Sequence, residues 1–144
     1  GQFIDRHRLR GAGEALVQEL RYARQYAVIN QVTTHFSLAN DVPSGWCYAW
    51  RAAEPCECSA DENSCASATS RPISQLHTAR DYPSIRLSLN NSTGRRQLQF
   101  SAIRGTATAA SMSLQNSAGE LQVLVSPLGR VRRCGTGLPG VGSC

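Results

Sequence analysis

Residues 15–28 read ALVQELRYARQYAV, and this stretch decides the fold. It lies within a longer segment, residues 5–30, in which apolar side chains recur at steps of three and four. They are Leu9, Ala12, Leu16, Leu20, Ala23 and Ala27. This spacing places them on one face of a helix. The segment therefore predicts an amphipathic α-helix whose apolar face packs against the rest of the protein.

The apolar period changes from helical to two after the helix. Val32, Thr34, Phe36 and Leu38 are separated by single residues, which is the pattern of a half-buried strand. Further strands are predicted at 46–51, 85–89, 97–103, 106–114 and 121–125, with turns at 90–94, 105 and 116–119. One long helix followed by six or seven antiparallel strands indicates an α+β fold in which the helix covers a sheet.

The length of 144 residues suits one domain with one core. A composition of 41% hydrophobic and 17% charged residues excludes a disordered chain. We expect a single soluble domain, 1–144, with the helix in 1–30 and a β-rich region in 31–134. The glycine-rich tail, 135–144, is expected to be irregular.

The charge is strongly uneven along the chain. All 15 basic residues are arginine, and the net charge is +5. Residues 31–70 contain one arginine and five acidic residues, whereas residues 95–133 contain six arginines and one acidic residue. This asymmetry indicates that one face of the protein prefers an anionic partner.

The basic half ends in SPLGRVRRC, residues 126–134. Its proline and its glycine are turn residues, and a strand is expected after them. Because side chains two apart in a strand share a face, Arg130 and Arg132 would project together while Val131 packs inward. Two guanidinium groups on one edge can each pair two phosphate oxygens. The alternative is an arginine-rich edge strand that is merely solvated and discourages aggregation.

The cysteines indicate disulfide bonds and an oxidising compartment. The six are Cys47, Cys56, Cys58, Cys65, Cys134 and Cys144. Their pairing stays open, although Cys134 and Cys144 would close the glycine-rich tail and are expected to pair. A zinc site built from the other four is the alternative. It lacks the usual paired CxxC spacing, and neither His35 nor His77 completes it, so we expect no metal.

No catalytic motif is present in the sequence. It has no G-x-S-x-G, no H-E-x-x-H and no P-loop. We therefore expect neither enzymatic activity nor a cofactor. A secreted, disulfide-rich enzyme remains an alternative, which a polar pocket with a perturbed titrating group would favour.

The elements, in this order, resemble the soluble domain of the minor pilins and pseudopilins of the GspH/FimT family. Residues 15–28 are similar to the family's "L…L..AR..A" helix. Residues 100–105 and 121–131 are similar to its closing "F…G…I.VS..GRV". The resemblance covers nearly the whole chain, except the cysteine-rich loop at 52–70 and the tail.

The resemblance implies a pilin-like, disulfide-stabilised fold and a minor pilin of a type IV pilus, as a low-abundance tip or assembly subunit. It implies an N-terminal transmembrane half-helix, absent from this sequence, that anchors the protein in the inner membrane. The protein would face the periplasm before assembly and become extracellular in the pilus, with other minor and major pilins as partners. A minor pseudopilin of type II secretion, or an assembly-priming pilin without DNA binding, is the alternative.

Members of the FimT branch in naturally transformable bacteria carry a DNA-binding G-R-x-R motif. This sequence is similar in having Gly129, Arg130, Val131 and Arg132. The resemblance thus implies binding of double-stranded DNA, independent of base sequence, during DNA uptake. The further contacts expected from the basic half are Arg133, Arg104, Arg95 and Arg96.

Overall fold

The computed structural model describes residues 2–43, 45–59, 65, 76–91, 93–136 and 138–144. In these residues one helix, α1 (Gln2–Asn30), precedes eight strands. The strands are β1 (Thr34–Val42), β2 (Gly45–Ala52), β3 (His77–Thr78), β4 (Arg86–Ser88), β5 (Arg95–Phe100), β6 (Ala110–Asn116), β7 (Gly119–Val125) and β8 (Val131–Thr136). A single 3₁₀ turn, Ala79–Asp81, follows β3.

The predicted helix is confirmed, and it begins three residues earlier than expected. Its apolar stripe is buried: Leu9, Leu16, Leu20, Ala23 and Ala27 are all 0% exposed. The stripe packs mainly on β7 and also on β1, β6 and β8. Within the described part of the chain, no helix combines the length and the apolar character needed to cross a membrane.

The strands form two antiparallel sheets of four strands each. The first sheet has the order β3-β2-β1-β5, and the second has the order β4-β6-β7-β8. The α+β fold, with a helix packed on antiparallel sheets, is therefore confirmed. The described residues hold eight strands where six or seven were expected. The additional β3 has two residues, which is too short for an alternating pattern to show.

Two strand boundaries in the basic half differ from the prediction. β5 ends at Phe100 because the chain turns through 101–105, where Arg104 and Gly105 have φ of 68° and 65°. β6 begins at Ala110 because the preceding residues bond elsewhere: the Ala107 N–H donates to the Pro127 carbonyl at 3.0 Å. The alternation of threonine and alanine at 106–109 resembles a strand, but that stretch lies in a loop.

The core between the helix and the first sheet is aromatic. Trp50, Tyr48 and Phe36 are almost fully buried, and Phe36 stacks on Tyr48 with ring centroids 5.8 Å apart. The Trp50 indole N–H donates to a carboxylate oxygen of Glu19 on α1 at 2.7 Å. This bond and the ring contacts fix the helix against the first sheet.

The outer face of the first sheet is covered by the cysteine-rich segment. Disulfides join Cys47 to Cys58 and Cys56 to Cys65, and these cysteines pack with Ala39, Val42 and Ala49. The predicted loop, 52–70, lies partly outside the described residues, which here are 52–59 and 65.

The third disulfide joins Cys134 to Cys144, the pair expected from the sequence. β8 extends to Thr136, two residues into the segment expected to be irregular. The tail folds back on the strand because the Gly135 N–H donates to the Gly142 carbonyl at 2.8 Å, and Leu138 enters the core. All six cysteines are in disulfides, so none is free to bind zinc.

Candidate functional site

The turn between β7 and β8, residues 126–130, is held by three local hydrogen bonds. The Gly129 N–H donates to the Ser126 carbonyl at 2.9 Å, and the Ser126 N–H donates to the Arg130 carbonyl at 2.9 Å. The Arg130 N–H also donates to Ser126 Oγ at 3.2 Å. Gly129 has a φ of 83°, which a residue with a side chain adopts only with strain. These bonds close the turn and hold the backbone of Arg130 in place.

Arg130 and Arg132 are both exposed, whereas Val131 between them is 6% exposed and joins the core. This is the alternation expected of the segment, and it places the two guanidinium groups on the open side of β8. They line a groove with a volume of about 700 Å³. We call it the arginine groove, and define it by Arg96, Arg130 and Arg132.

Arg96 reaches the arginine groove from the other sheet. It lies on β5 with Leu98 and Phe100 on the same face, because the three are two residues apart. At the end of that face its Nη2 donates to the Ala109 carbonyl, just before β6, at 2.6 Å. One hydrogen bond thus fixes the direction of Arg96 and spans the two sheets.

The groove is basic, and none of the described residues that line it is acidic. Its remaining lining comes from the ends of β4, β6 and β7, and includes Asn90, Asn91, Ser111 and Ser126. Among the residues that the structure describes, no carboxylate forms an ion pair with Arg96, Arg130 or Arg132. Three cationic side chains with no counter-charge among the described residues give this groove a positive potential, which favours anionic ligands.

A second groove, with a volume of about 740 Å³, lies on the other side of Arg130 and Arg132. Arg104 lines it together with the C-terminal part of α1, including Val28 and Ile29. Arg104 is exposed and has a φ of 68°. The structure thus places Arg104 beside the motif, but across the arginine pair from Arg96.

Two arginines that sequence reasoning missed also line this second groove. Arg21 and Arg24 are three residues apart, so they share a face of α1. Arg21 Nη2 donates to the Val131 carbonyl at 2.8 Å, and Arg24 Nε donates to the Gly105 carbonyl at 3.1 Å. The sequence showed only that both arginines lie off the apolar stripe. That position indicates that they are not core residues, but it does not reveal which backbone groups they contact.

The last two predicted contacts lie away from the arginine groove. Arg95 contacts Asp41 at 3.2 Å and Glu57 at 3.8 Å. Arg133 contacts Glu14 on α1 at 2.7 Å. Both arginines therefore have carboxylate partners, and neither lines the groove that holds Arg96, Arg130 and Arg132.

The most perturbed titrating groups lie in the aromatic core and not in either groove. Burial would raise the pKa of Glu19, but hydrogen bonds from His77 and Trp50 outweigh it and lower the pKa below its ordinary value. Burial raises the pKa of Tyr48 far above its ordinary value. His77 Nδ1 and the Tyr82 hydroxyl are 2.9 Å apart. These contacts join α1, β2 and β3, which is a structural role.

The described residues contain no group of three or more histidine, cysteine, aspartate or glutamate side chains placed to hold a metal ion. The candidate site consists of arginines, amides and hydroxyls. Groups of these types are chemically suited to hydrogen bonding with an anion.

The comparisons with known proteins give one family model and one shared fold. Residues 12–129 match the family model of type II transport protein GspH. The type IV minor pilin FimU of Pseudomonas aeruginosa is similar in structure, with a TM-score of 0.62 and 20% identity over 90% of each chain. A second crystal form of FimU has a TM-score of 0.56 and 20% identity over 87% of this chain and 91% of that one.

The minor pseudopilin EpsH from the type 2 secretion system of Vibrio cholerae is also similar. Its TM-score is 0.58 and its identity 14%, over 92% of this chain and 98% of that one. At these identities the solved structures show the fold. No sequence among the curated proteins matches this chain.

Proposed function

This chain belongs to the GspH family, since the family model matches residues 12–129, and from that premise we propose that it is a minor pilin of a type IV pilus. A minor pseudopilin of type II secretion is the alternative within the same family. FimU, named as a type IV minor pilin, and EpsH, named as a minor pseudopilin, share its fold. The proposal makes the protein a structural and binding subunit and not an enzyme.

As such a subunit, the protein would contact other minor and major pilins in a filament. It would be held at the inner membrane facing the periplasm before assembly, and be extracellular in the pilus. Three disulfides agree with an oxidising location of this kind.

The finer part of the proposal is that the arginine groove binds double-stranded DNA during uptake. One observation carries it: Arg96 on β5, Arg132 on β8 and Arg130 in the turn before β8 line one groove, and none of the three has a carboxylate partner among the described residues. Guanidinium groups pair with phosphate oxygens in a bidentate manner, so each can take one phosphate of a backbone.

The geometry of the groove indicates the kind of binding. Phosphate contacts carry no base information, so affinity should be independent of DNA sequence. Three neutralised phosphates predict a slope of about −2.7 for the logarithm of affinity against the logarithm of salt concentration, at about −0.9 per phosphate. Arg104 lies on the far side of the arginine pair, where a wide ligand could reach it.

The test is binding of a fluorescently labelled duplex, measured by anisotropy between about 50 and 200 mM salt. The variant Arg130→Ala/Arg132→Ala should lose most of the affinity and show a slope less steep by about 1.8. The matched control is Arg95→Ala/Arg133→Ala, which removes the same two positive charges from residues that already have carboxylate partners. It should bind nearly as the wild type does.

Equal losses in the two double variants would show that total charge, and not the groove, attracts DNA. No binding by the folded wild-type domain at low salt would contradict DNA capture. It would leave a pseudopilin or an assembly-priming pilin, in which Arg130 and Arg132 are a solvated edge. Circular dichroism of every variant checks that the fold is intact.

A further inference from the structure

The helix motif at residues 15–28 contains one side chain that neither the core nor the arginine groove explains. Arg24 is half-buried and lies beside the apolar stripe, four residues after Leu20. Its Nε donates to the Gly105 carbonyl at 3.1 Å, and its Nη2 is 3.5 Å from the Arg104 carbonyl. Both contacts are with the backbone of the loop that joins β5 to β6.

Gly105 and Gly129 meet beneath the Arg24 side chain. Both have positive φ, 65° and 83° respectively. A Cβ added to Gly129 would overlap the Gly105 carbonyl oxygen and lie 2.6 Å from Arg24 Nε. A Cβ added to Gly105 would lie 2.8 Å from a methyl carbon of Val28 on α1. The backbones of two loops distant in sequence therefore meet at this point, and the side chains of Arg24 and Val28 on α1 pack against them.

Two further bonds tie the same segments together. The Ala107 N–H donates to the Pro127 carbonyl at 3.0 Å, which joins the β5–β6 loop to the turn at 126–130. Arg21 Nη2 donates to the Val131 carbonyl at 2.8 Å, which joins α1 to the first residue of β8. Arg24 is on the same helix as Arg21 and contacts the same loop as Ala107, so it shares a segment with each of these two hydrogen bonds.

We propose that Arg24 is a positioning residue for the arginine groove. By holding the β5–β6 loop against Gly129, it fixes the turn at 126–130 and thereby the direction of Arg130. Its Nε and one Nη group are directed at backbone carbonyls, so it acts through the turn and not as a phosphate contact. The consequence for DNA rests on the proposed function, whereas the effect on the turn does not.

The first arm of the test measures the turn without DNA. Amide hydrogen exchange of Gly129 and Arg130, whose N–H groups donate to Ser126, is compared between wild type and Arg24→Met. Exchange at these two amides should accelerate by about tenfold or more, given the usual strength of a hydrogen bond to a charged group. Exchange at Leu98 and Val123, in the two sheets, should not change.

The matched control for this arm is Arg8→Met. Arg8 is exposed on the same helix, 16 positions earlier and thus roughly 24 Å away along the axis. The Arg8→Met substitution also removes one positive charge, but it should leave the amide exchange rate of Gly129 unchanged. Equal exchange in Arg24→Met and Arg8→Met would overturn the positioning role.

The second arm is a double-mutant cycle in DNA affinity. Arg24→Met should weaken binding in the wild-type background by about tenfold, and by much less in the Arg130→Ala/Arg132→Ala background, because the residues it positions are gone. The same loss in both backgrounds, or no loss despite faster exchange, would overturn the proposal. If the wild type binds no DNA, the proposed function fails, and the first arm still decides whether Arg24 holds the turn.

Discussion

Arg132 and Arg133 are adjacent in β8, but their surroundings are opposite. Arg132 lines the open arginine groove, whereas Arg133 contacts Glu14 on the helix at 2.7 Å. Arg96 and Arg95 in β5 repeat the difference, since Arg96 reaches the groove and Arg95 contacts Asp41. Alternation along a strand is the cause. The face on which an arginine lies, and not the number of arginines in a run, decides the size of an anion site.

The largest effect is expected from a substitution that displaces the turn before β8, because this turn sets the faces on which the β8 arginines lie. Gly129→Ala should lower the free energy of unfolding by about 2–4 kcal/mol, because strain at positive φ adds to a clash with the Gly105 backbone. Urea unfolding followed by fluorescence measures it.

The control for this prediction is a glycine with open space around it. Gly11 lies inside α1, and a Cβ there would have no neighbour within 4 Å. Gly11→Ala should therefore raise the stability by about 0.5–1 kcal/mol, as an exposed helical glycine usually allows. A similar effect of the two substitutions would contradict the tight junction at Gly129.

The other end of β8 offers a second way to sharpen the comparison. The Cys134–Cys144 disulfide closes a short loop with a sequence separation of 10. Cys134→Ala/Cys144→Ala should lower the free energy of unfolding by roughly 2–3 kcal/mol, from the chain entropy of a loop of this length. DNA affinity should hardly change, because neither Cys134 nor Cys144 lines the arginine groove. A loss of affinity as large as that of Arg132→Ala would show that the two ends of β8 are coupled.

The third prediction is that substituting the two adjacent arginines has different effects, one on DNA binding and the other on stability. Arg132→Ala should make the salt slope of DNA binding less steep by about 0.9 while changing stability by less than about 0.5 kcal/mol. Arg133→Ala should instead leave the slope unchanged and lower stability by up to about 1 kcal/mol, since its partly exposed ion pair with Glu14 is lost. Anisotropy titrations and urea unfolding on the same two proteins measure both quantities. The same pattern in the two variants would mean that strand alternation does not separate their roles.

The smallest expected effect is a pH dependence in the first sheet, where His35 lies opposite Arg51 across β1 and β2. Burial lowers the pKa of His35 more than a backbone hydrogen bond at Ala53 raises it, and the charge of Arg51 lowers it a little further. The folded protein thus binds this proton less readily than the unfolded chain. The free energy of unfolding should have its full value above a pH of about 6.5 and should fall as the pH drops below that value.

Urea unfolding at several pH values between about 7.5 and 5 checks this dependence, in a range where an ordinary carboxylate stays ionised. The variant His35→Gln should show a flatter profile over that range. A wild-type profile as flat as that of the variant would contradict the lowered pKa.

The local parts of the site could be predicted from the sequence. The exposure of Arg130 and Arg132 around a buried Val131 follows from a strand period of two, which nearby residues reveal. The helix was predictable for the same reason, because the steps between Leu9, Leu16 and Leu20 are local.

The non-local parts could not be predicted in the same way. Arg96 and Arg130 line the same groove only because two sheets pack together, and no spacing along the chain encodes that placement. The choice between Arg95 and Arg96 depends on which face of β5 is turned inward. Arg24 was hidden for a different reason, since its partners are backbone carbonyls of Gly105 and Arg104, which carry no sequence signal.

The three disulfides have a mechanical consequence. They span 11, 9 and 10 residues: one joins β2 to the cysteine-rich segment that follows it, one lies within that segment, and one joins β8 to its tail. No covalent crosslink joins α1 to either sheet. A pulling force applied along the helix is therefore resisted by the packing of the apolar stripe and by individual hydrogen bonds, such as that from Trp50 to Glu19. Under such load the helix would peel away first, and the crosslinked loops would stay closed.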